Sequence, residues 1–403
     1  MAEITTDHAD TASKVSLRDL CLYFLKLGAF GFGGPIALAG YMQRDLQEQK
    51  HWITKDEYQD GLAIAQTMPG PLAAQLAMWI GFIKYGVLGA TLTGILFILM
   101  PFILVTAIAA IYVQFSGLSQ IRALFYGIGP AAIAIIALAA WKLAKQTDGS
   151  DVKLWVTTAV VLVITVVTRT ELAWIFVLAG LLAIAVYAPP WKGRKQPASA
   201  TPLAGALAMP GFKMAGLALP GLAVGTLGLL ALFFLKAAAF TFGSGLAIVP
   251  FLHEGAVNTY HWVNERQFLD AVAMGIITPG PVVIMATFVG YLAAGFAGAV
   301  VASIAVFFPV WVFNVVIGRI FLRHRQNLQV RAFVKGVTAA AVGAIAGAAI
   351  ILGQGAIVDV VTAAIFLAAL AVLYFKKLKE PYVIGLAGVV GLIADAAGLI
   401  PVH

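Results

Sequence analysis

Shifting the chain by 210 residues lays one half of it on the other. Phe24-Leu25-Lys26 falls on Phe234-Leu235-Lys236, Phe32-Gly33 on Phe242-Gly243, His51-Trp52 on His261-Trp262, Asp60 on Asp270 and Pro69-Gly70-Pro71 on Pro279-Gly280-Pro281. At a shift of 209, Gly81, Gly86 and Gly89 meet Gly290, Gly295 and Gly298, and Glu171 meets Glu380. A duplication that keeps Trp, His, Lys and Pro-Gly-Pro in register restricts the fold to two like halves.

The environment of those halves follows from their residues. Of 403 residues 61% are hydrophobic and 11% charged, whereas a soluble domain carries about 25% charge. Runs such as Ala131–Ala140, Val156–Val167, Leu172–Val186, Val300–Val316 and Val337–Leu352, with their flanks, supply the roughly 20 residues that cross a bilayer. Backbone polarity must be satisfied inside lipid, so the spans are helices. The expected fold is an all-α polytopic membrane protein in four parts. These are a polar cytosolic tail (1–15), a first repeat (16–188), a linker with room for an extra membrane segment (189–225), and a second repeat (226–403).

Cys21 is the single cysteine, which excludes an intramolecular disulfide and a cysteine metal cluster; no metal or cofactor is expected. The net charge of +8 sits in short loops between apolar segments, the pattern of cytoplasmic flanks, so nucleic-acid binding is excluded. Lys142, Lys145 and Lys153 mark a basic loop in the first half. In the second, the basic loops are Arg319–Arg331 and Lys376–Lys379. Corresponding loops therefore differ in charge, as in repeats of inverted topology.

Pro69, Pro71, Pro279 and Pro281 each lack a donor and disfavour helix before them, so each Pro-Gly-Pro is expected to break a membrane helix around Gly70 or Gly280. A break at membrane depth is tolerated where protein or a hydrated cavity receives the freed peptide groups. Transporters use it to aim a half-helix N-terminus at an anion; a packing kink is the plainer alternative. Gly33 and Gly34, and in the second half Gly243 and Ser244, form turns whose amides could hold an anion or let helices pack closely. Lys26 and Lys236 stand in apolar runs and either neutralise an oxyanion or snorkel. Gln66, Thr67 and Gln75 surround the first break and Thr278 the second. This asymmetry points to one shared substrate site. Asp60 and Asp270 are candidates for proton coupling or gating; Glu57 is another, although Thr54-x-x-Glu57 also reads as a capping box. No residue set points to an enzyme.

The paired "GFGG…W…PGP" and "TFGSG…W…TPGP" segments resemble the chromate ion transporter family over nearly the whole chain, in its full-length two-domain form. Gln47 stands where that pattern has valine, which Val257 keeps in the second half. The resemblance implies a multi-pass protein of the bacterial inner membrane that exports chromate by alternating access. Sulfate or a related oxyanion is an alternative cargo, and a passive channel or membrane enzyme are lesser alternatives. The bilayer is the expected partner, with a homodimer one assembly open to it.

Overall fold

The computed structural model describes residues 13–115, 119–169, 173–189, 225–239, 241, 245–318, 327–376 and 378–400. Most of the tail, the linker from 190 to 224, the turn residues Gly243 and Ser244, and Arg319–Arg325 lie outside them. The described residues form helices and no strand. Four helical stretches are long and apolar enough to cross a bilayer: Leu72–Phe115, Ser119–Thr147, Val282–Val316 and Leu328–Ala356. Leu88, Ile95, Ile103 and Ile111, spaced seven or eight apart, leave one helix face exposed, while Ala90, Phe97, Val105 and Ala109 bury the other. Such an apolar outer face suits lipid. The chain is a multi-pass membrane protein.

The first repeat runs α1 (Leu17–Phe30), α2 (Gly34–Met42), α3 (Lys55–Thr67), α4 (Leu72–Phe115), α5 (Ser119–Thr147), α6 (Val152–Thr168) and α7 (Ala173–Tyr187). The second repeats the series as α8 (Thr226–Ala239), α9 (Ile248–His253), α10 (Glu265–Ile277), α11 (Met285–Val312), α12 (Leu328–Ala356), α13 (Val360–Ala371) and α14 (Glu380–Ala396). Both α3 and α10 begin on a capping box, Thr54 with Glu57 and Asn264 with Gln267, which satisfies two of the orphan amides of a helix start.

Pro-Gly-Pro turns the chain back on itself. The helix ends at Thr67 and resumes at Leu72, but the two arms lie side by side. Lys84 Nζ reaches both Glu57 carboxylate oxygens at 3.0 Å, and Trp79 Nε1 donates to the Glu57 carbonyl at 3.2 Å. Each arm is about 20 Å long, shorter than the roughly 30 Å hydrocarbon core. In place of the expected single helix interrupted midway, the chain forms a helical hairpin with Gly70 at its tip. Gly70, at φ +131°, adopts a backbone that L side chains disfavour. Gly280, at φ +91°, turns the second hairpin, where Gly275 packs on Met285.

The second arm of each hairpin turns again. At Tyr85–Gly86 and at Ala294–Gly295 the backbone leaves the helical region within α4 and α11. The arms that follow return antiparallel: Thr93 Oγ1 donates to the Ala77 carbonyl at 3.0 Å, and the hydroxyls of Thr287 and Ser303 are hydrogen-bonded at 2.7 Å. Gly81 against Gly89, and Gly290 against Gly298, leave no room for a β-carbon between the arms.

Equivalent helices of the two repeats meet and run antiparallel. Trp311 Nε1 donates to Thr91 Oγ1 at 2.9 Å, while the rings of Phe102 and Phe296 lie 6.4 Å apart. Likewise, β-carbons placed on Gly129 and Gly353 would touch Ala356 and Ile133. The halves also exchange partners: α6 and α7 pack on α12, whereas α14 packs on α5. Thr158 Oγ1, for example, donates to the Ala339 carbonyl at 3.0 Å. This antiparallel order brings the end of α5, the start of α12, the end of α13 and the start of α14 to one face, with Lys142, Lys145, Lys153, Arg331, Lys335, Lys376 and Lys379 near it. We call it the basic face.

Candidate functional site

A cavity of about 880 Å³ runs inward from the basic face. Its outer wall carries Lys142 and Gln146 from α5, Lys335 and Thr338 from α12, and Glu380 from α14. Tyr58, Leu62 and Gln66 of α3 and Gln43 form one side. Its inner end is made by Gly33, Gly34, Pro35, Leu72, Thr278, Gly280 and Val282, so the second hairpin tip, the start of the first hairpin's returning arm and the first glycine turn meet there.

Three helix starts border that inner end: α2 at Gly34, the second hairpin arm at Leu72, and its counterpart at Val282. The first turn of a helix leaves its N–H groups without intrahelical acceptors. The amides of Leu72, Ala73 and Ala74 meet no acceptor among the described residues, nor do those of Val282 and Val283. Of these residues Leu72 and Val282 line the cavity, so two such helix starts and that of α2 turn their positive dipole ends toward one space. Such an arrangement attracts anions.

The amides of the tip glycines themselves are occupied. Gly70 N–H donates to the Thr241 carbonyl at 2.6 Å, and Gly280 N–H to the Gly31 carbonyl at 3.0 Å. Each hairpin tip is thus fastened to the glycine turn of the other repeat. Gly70 lies outside the cavity lining and Gly280 within it. Gln75 is fully buried and donates to the carbonyls of Met68 and Pro69. It braces the first turn from behind. Thr67 and Thr278 return their hydroxyls to Ala63 and Met274 one turn back; of the two, Thr278 lines the cavity, as does the exposed Gln66.

On the opposite face the equivalent space is closed. A void of about 10 Å³ is lined by Pro250, His253, Ala348, Ile351 and Leu352 with Thr165 and Arg169. By the shifts of 210 and 209, the first five answer to Gly40, Gln43, Ala139, Lys142 and Leu143, all lining the large cavity. Among the described residues the two repeats thus place equivalent positions around spaces of very different volume. Polar contacts gather at the closed side: His253 Nε2 lies 2.8 Å from Glu265 Oε2, Arg266 donates to the Arg122 carbonyl at 3.0 Å, and Tyr126 donates to Asp359 at 2.6 Å.

Other sequence candidates fall elsewhere. Lys26 and Lys236 are exposed and absent from the cavity wall, because each stands on the face of its helix opposite the buried Phe24 and Phe234 cluster. They are not gathered at the inner end. Glu57 is committed to its cap and to Lys84. Asp60 is partly exposed on α3; Asp270 is buried and accepts a hydrogen bond from Tyr112 at 2.7 Å. Gly243 and Ser244 lie outside the described residues. Lys84, Tyr112, Lys142 and Lys335 were not singled out from the sequence. Only the placement of Lys142 in a basic loop hinted at any of them.

The chromate transporter family model matches residues 18–184 and again 228–392. A chromate transport protein of Cupriavidus metallidurans is 49% identical over 388 residues, covering 95% of this chain and 94% of that protein. A probable chromate transport protein of Synechococcus elongatus is 46% identical, covering 94% of this chain and 95% of that protein. A chromate transport protein of Pseudomonas aeruginosa is 33% identical, covering 94% and 92% respectively. No solved structure matches the chain. The double match, one per repeat, together with relatives spanning nearly the full length, places this chain in the chromate transporter family.

Proposed function

We propose that this chain exports chromate across the bacterial inner membrane by alternating access between two inverted-topology repeats. The observation that carries the reading is the contrast between the cavity of about 880 Å³ at the basic face and its closed counterpart of about 10 Å³. If the repeats exchange conformations, the cavity closes at one face and opens at the other around the same hairpin tips. The antiparallel contacts of Thr91 with Trp311 and of Phe102 with Phe296 support the inverted relation. Positive loops favour the cytoplasm, so the open face is the cytoplasmic one.

Chromate would enter between Lys142 and Lys335, pass Gln66, and be held at the inner end by the helix starts at Leu72 and Val282 with the turn at Gly33 and Gly34. Thr278 offers a hydroxyl beside them. Backbone N–H groups recognise the oxygen atoms of a tetrahedral dianion and are blind to its central atom. Sulfate is therefore the second reading. Export of a dianion runs with an outside-positive potential at about 2.3 kcal/mol per charge per 100 mV, and Asp60 and Asp270 are our candidates for proton coupling.

Radiolabelled chromate uptake into sealed vesicles of both orientations, with potential and pH gradients imposed separately, tests the reading. Saturable uptake through the basic face, driven by an imposed potential, is the expected result. Conduction without saturation would replace the carrier by a channel, and sulfate outcompeting chromate would change the cargo.

A further inference from the structure

We infer that Lys142 and Lys335 form an anion-collecting vestibule whose lysine pair has no counterpart at the opposite face, which gives the two ends of the transport cycle different affinities for oxyanions. The inference rests on the oxyanion transport proposed above. Lys142 lies in the last turns of α5 and Lys335 in the second turn of α12, both exposed and both on the cavity wall. Neither makes an ion pair among the described residues. Among the described residues Glu380 is the one carboxylate of that wall, against the two lysines, so their net charge is positive. A concave wall of one sign focuses field lines and concentrates the counter-ion within it.

The repeat relation shows what stands on the other side. At a shift of 209, Lys142 answers to Ile351 and Lys335 to Tyr126. Ile351 lines the closed void, and the Tyr126 hydroxyl donates to Asp359 Oδ2 at 2.6 Å. When the opposite side opens, its wall offers an alkyl chain and a phenol already paired to a carboxylate at those two positions, beside Arg169, whose guanidinium donates to Gln354 Oε1 at 3.1 Å. A dianion that meets two lysines on entry meets none of their equivalents on exit. The inner amides are shared by both states, so they hold the cargo without setting direction. The lysines distinguish the ends.

The test measures initial rates of chromate transport in sealed vesicles of both orientations, for the wild type, Lys142→Gln, Lys335→Gln and the double variant. Half-saturating chromate at the basic face should rise on the order of fivefold for each lysine, and its dependence on ionic strength should weaken. At the opposite face it should stay at the wild-type value. An unchanged value at the basic face, or an equal rise at both, overturns the inference. A second readout is independent of transport. In a Cys21→Ser background, Gln146→Cys on the cavity wall should react with a membrane-impermeant cationic thiol reagent at the basic face. Chromate should slow that reaction, and the double lysine variant should lose the protection. Protection without transport would sustain the vestibule and remove the carrier reading. Transport with no lysine-dependent protection would do the reverse.

Discussion

The backbone N–H of Gly280 lies 3.0 Å from the carbonyl oxygen of Gly31, and Gly70 makes the matching bond to Thr241 at 2.6 Å. Each hairpin tip is thereby hung from the glycine turn of the opposite repeat, at the inner end of the cavity. If the repeats rearrange as proposed, these two bonds tie the tip of each to the turn of the other. Coupling between repeats is built into two backbone contacts.

Gly280→Ala should therefore lose most chromate transport while the protein still inserts. A β-carbon there would meet Pro101 Cγ at 2.5 Å, and φ +91° is a conformation L side chains rarely adopt. The backbone alone costs roughly 1–2 kcal/mol. Gly34→Ala, where a β-carbon meets nothing within 4 Å at φ +73°, should incur the strain without the clash and retain more transport. Uptake per inserted molecule, normalised by size-exclusion chromatography, compares them; equal activity in both would remove the role of tip packing.

The sequence held much of this architecture and hid its directions. The spacing of Pro69 and Pro279 revealed the duplication, since both repeats need the same sharp turn. It could not say that the turn reverses the chain, because proline ends a helix equally well before a kink and before a hairpin. What decides is the pairing of Glu57 with Lys84 across the hairpin base, a tertiary fact. Lys26 and Lys236 looked like site residues because charge in an apolar run is expensive. Helical phase puts them outside, whereas Lys142 and Lys335 read as ordinary loop-side charge until α5 and α12 are seen to face one cavity.

Lys26→Gln and Lys236→Gln should leave half-saturating chromate within about twofold of the wild type. Both side chains are exposed and off the cavity wall, and isolated surface charges contribute little, about 0–1 kcal/mol. The same vesicle assay that reads the vestibule lysines reads these. A large rise in the required concentration would return them to the substrate route.

Glu57→Gln should keep most transport. Glutamine preserves the capping box, as Gln267 does at the start of α10, and gives up only the ion pair with the partly buried Lys84. Thr54→Ala removes the cap instead and should cost about 1 kcal/mol, seen as a lower midpoint in thermal unfolding. Abolition of proton-driven transport by Glu57→Gln, with stability intact, would make Glu57 a coupling residue after all.

Tyr112 and Asp270 join the repeats through a single side-chain hydrogen bond, with the Tyr112 ring packed edge-on against Phe125 and Phe288. Tyr112→Phe keeps the packing and strips a buried carboxyl of its donor, a loss of about 1–3 kcal/mol. Asp270→Asn leaves an acceptor for Tyr112 and removes the proton-binding group. The first variant should lower the thermal midpoint, and the second should keep it near the wild type. If Asp270 carries the coupled proton, Asp270→Asn should also lose stimulation by an imposed pH gradient while retaining uptake driven by the membrane potential. Measuring both driving forces in the same vesicles separates the two roles, since a purely structural Asp270 would leave the response to the pH gradient intact.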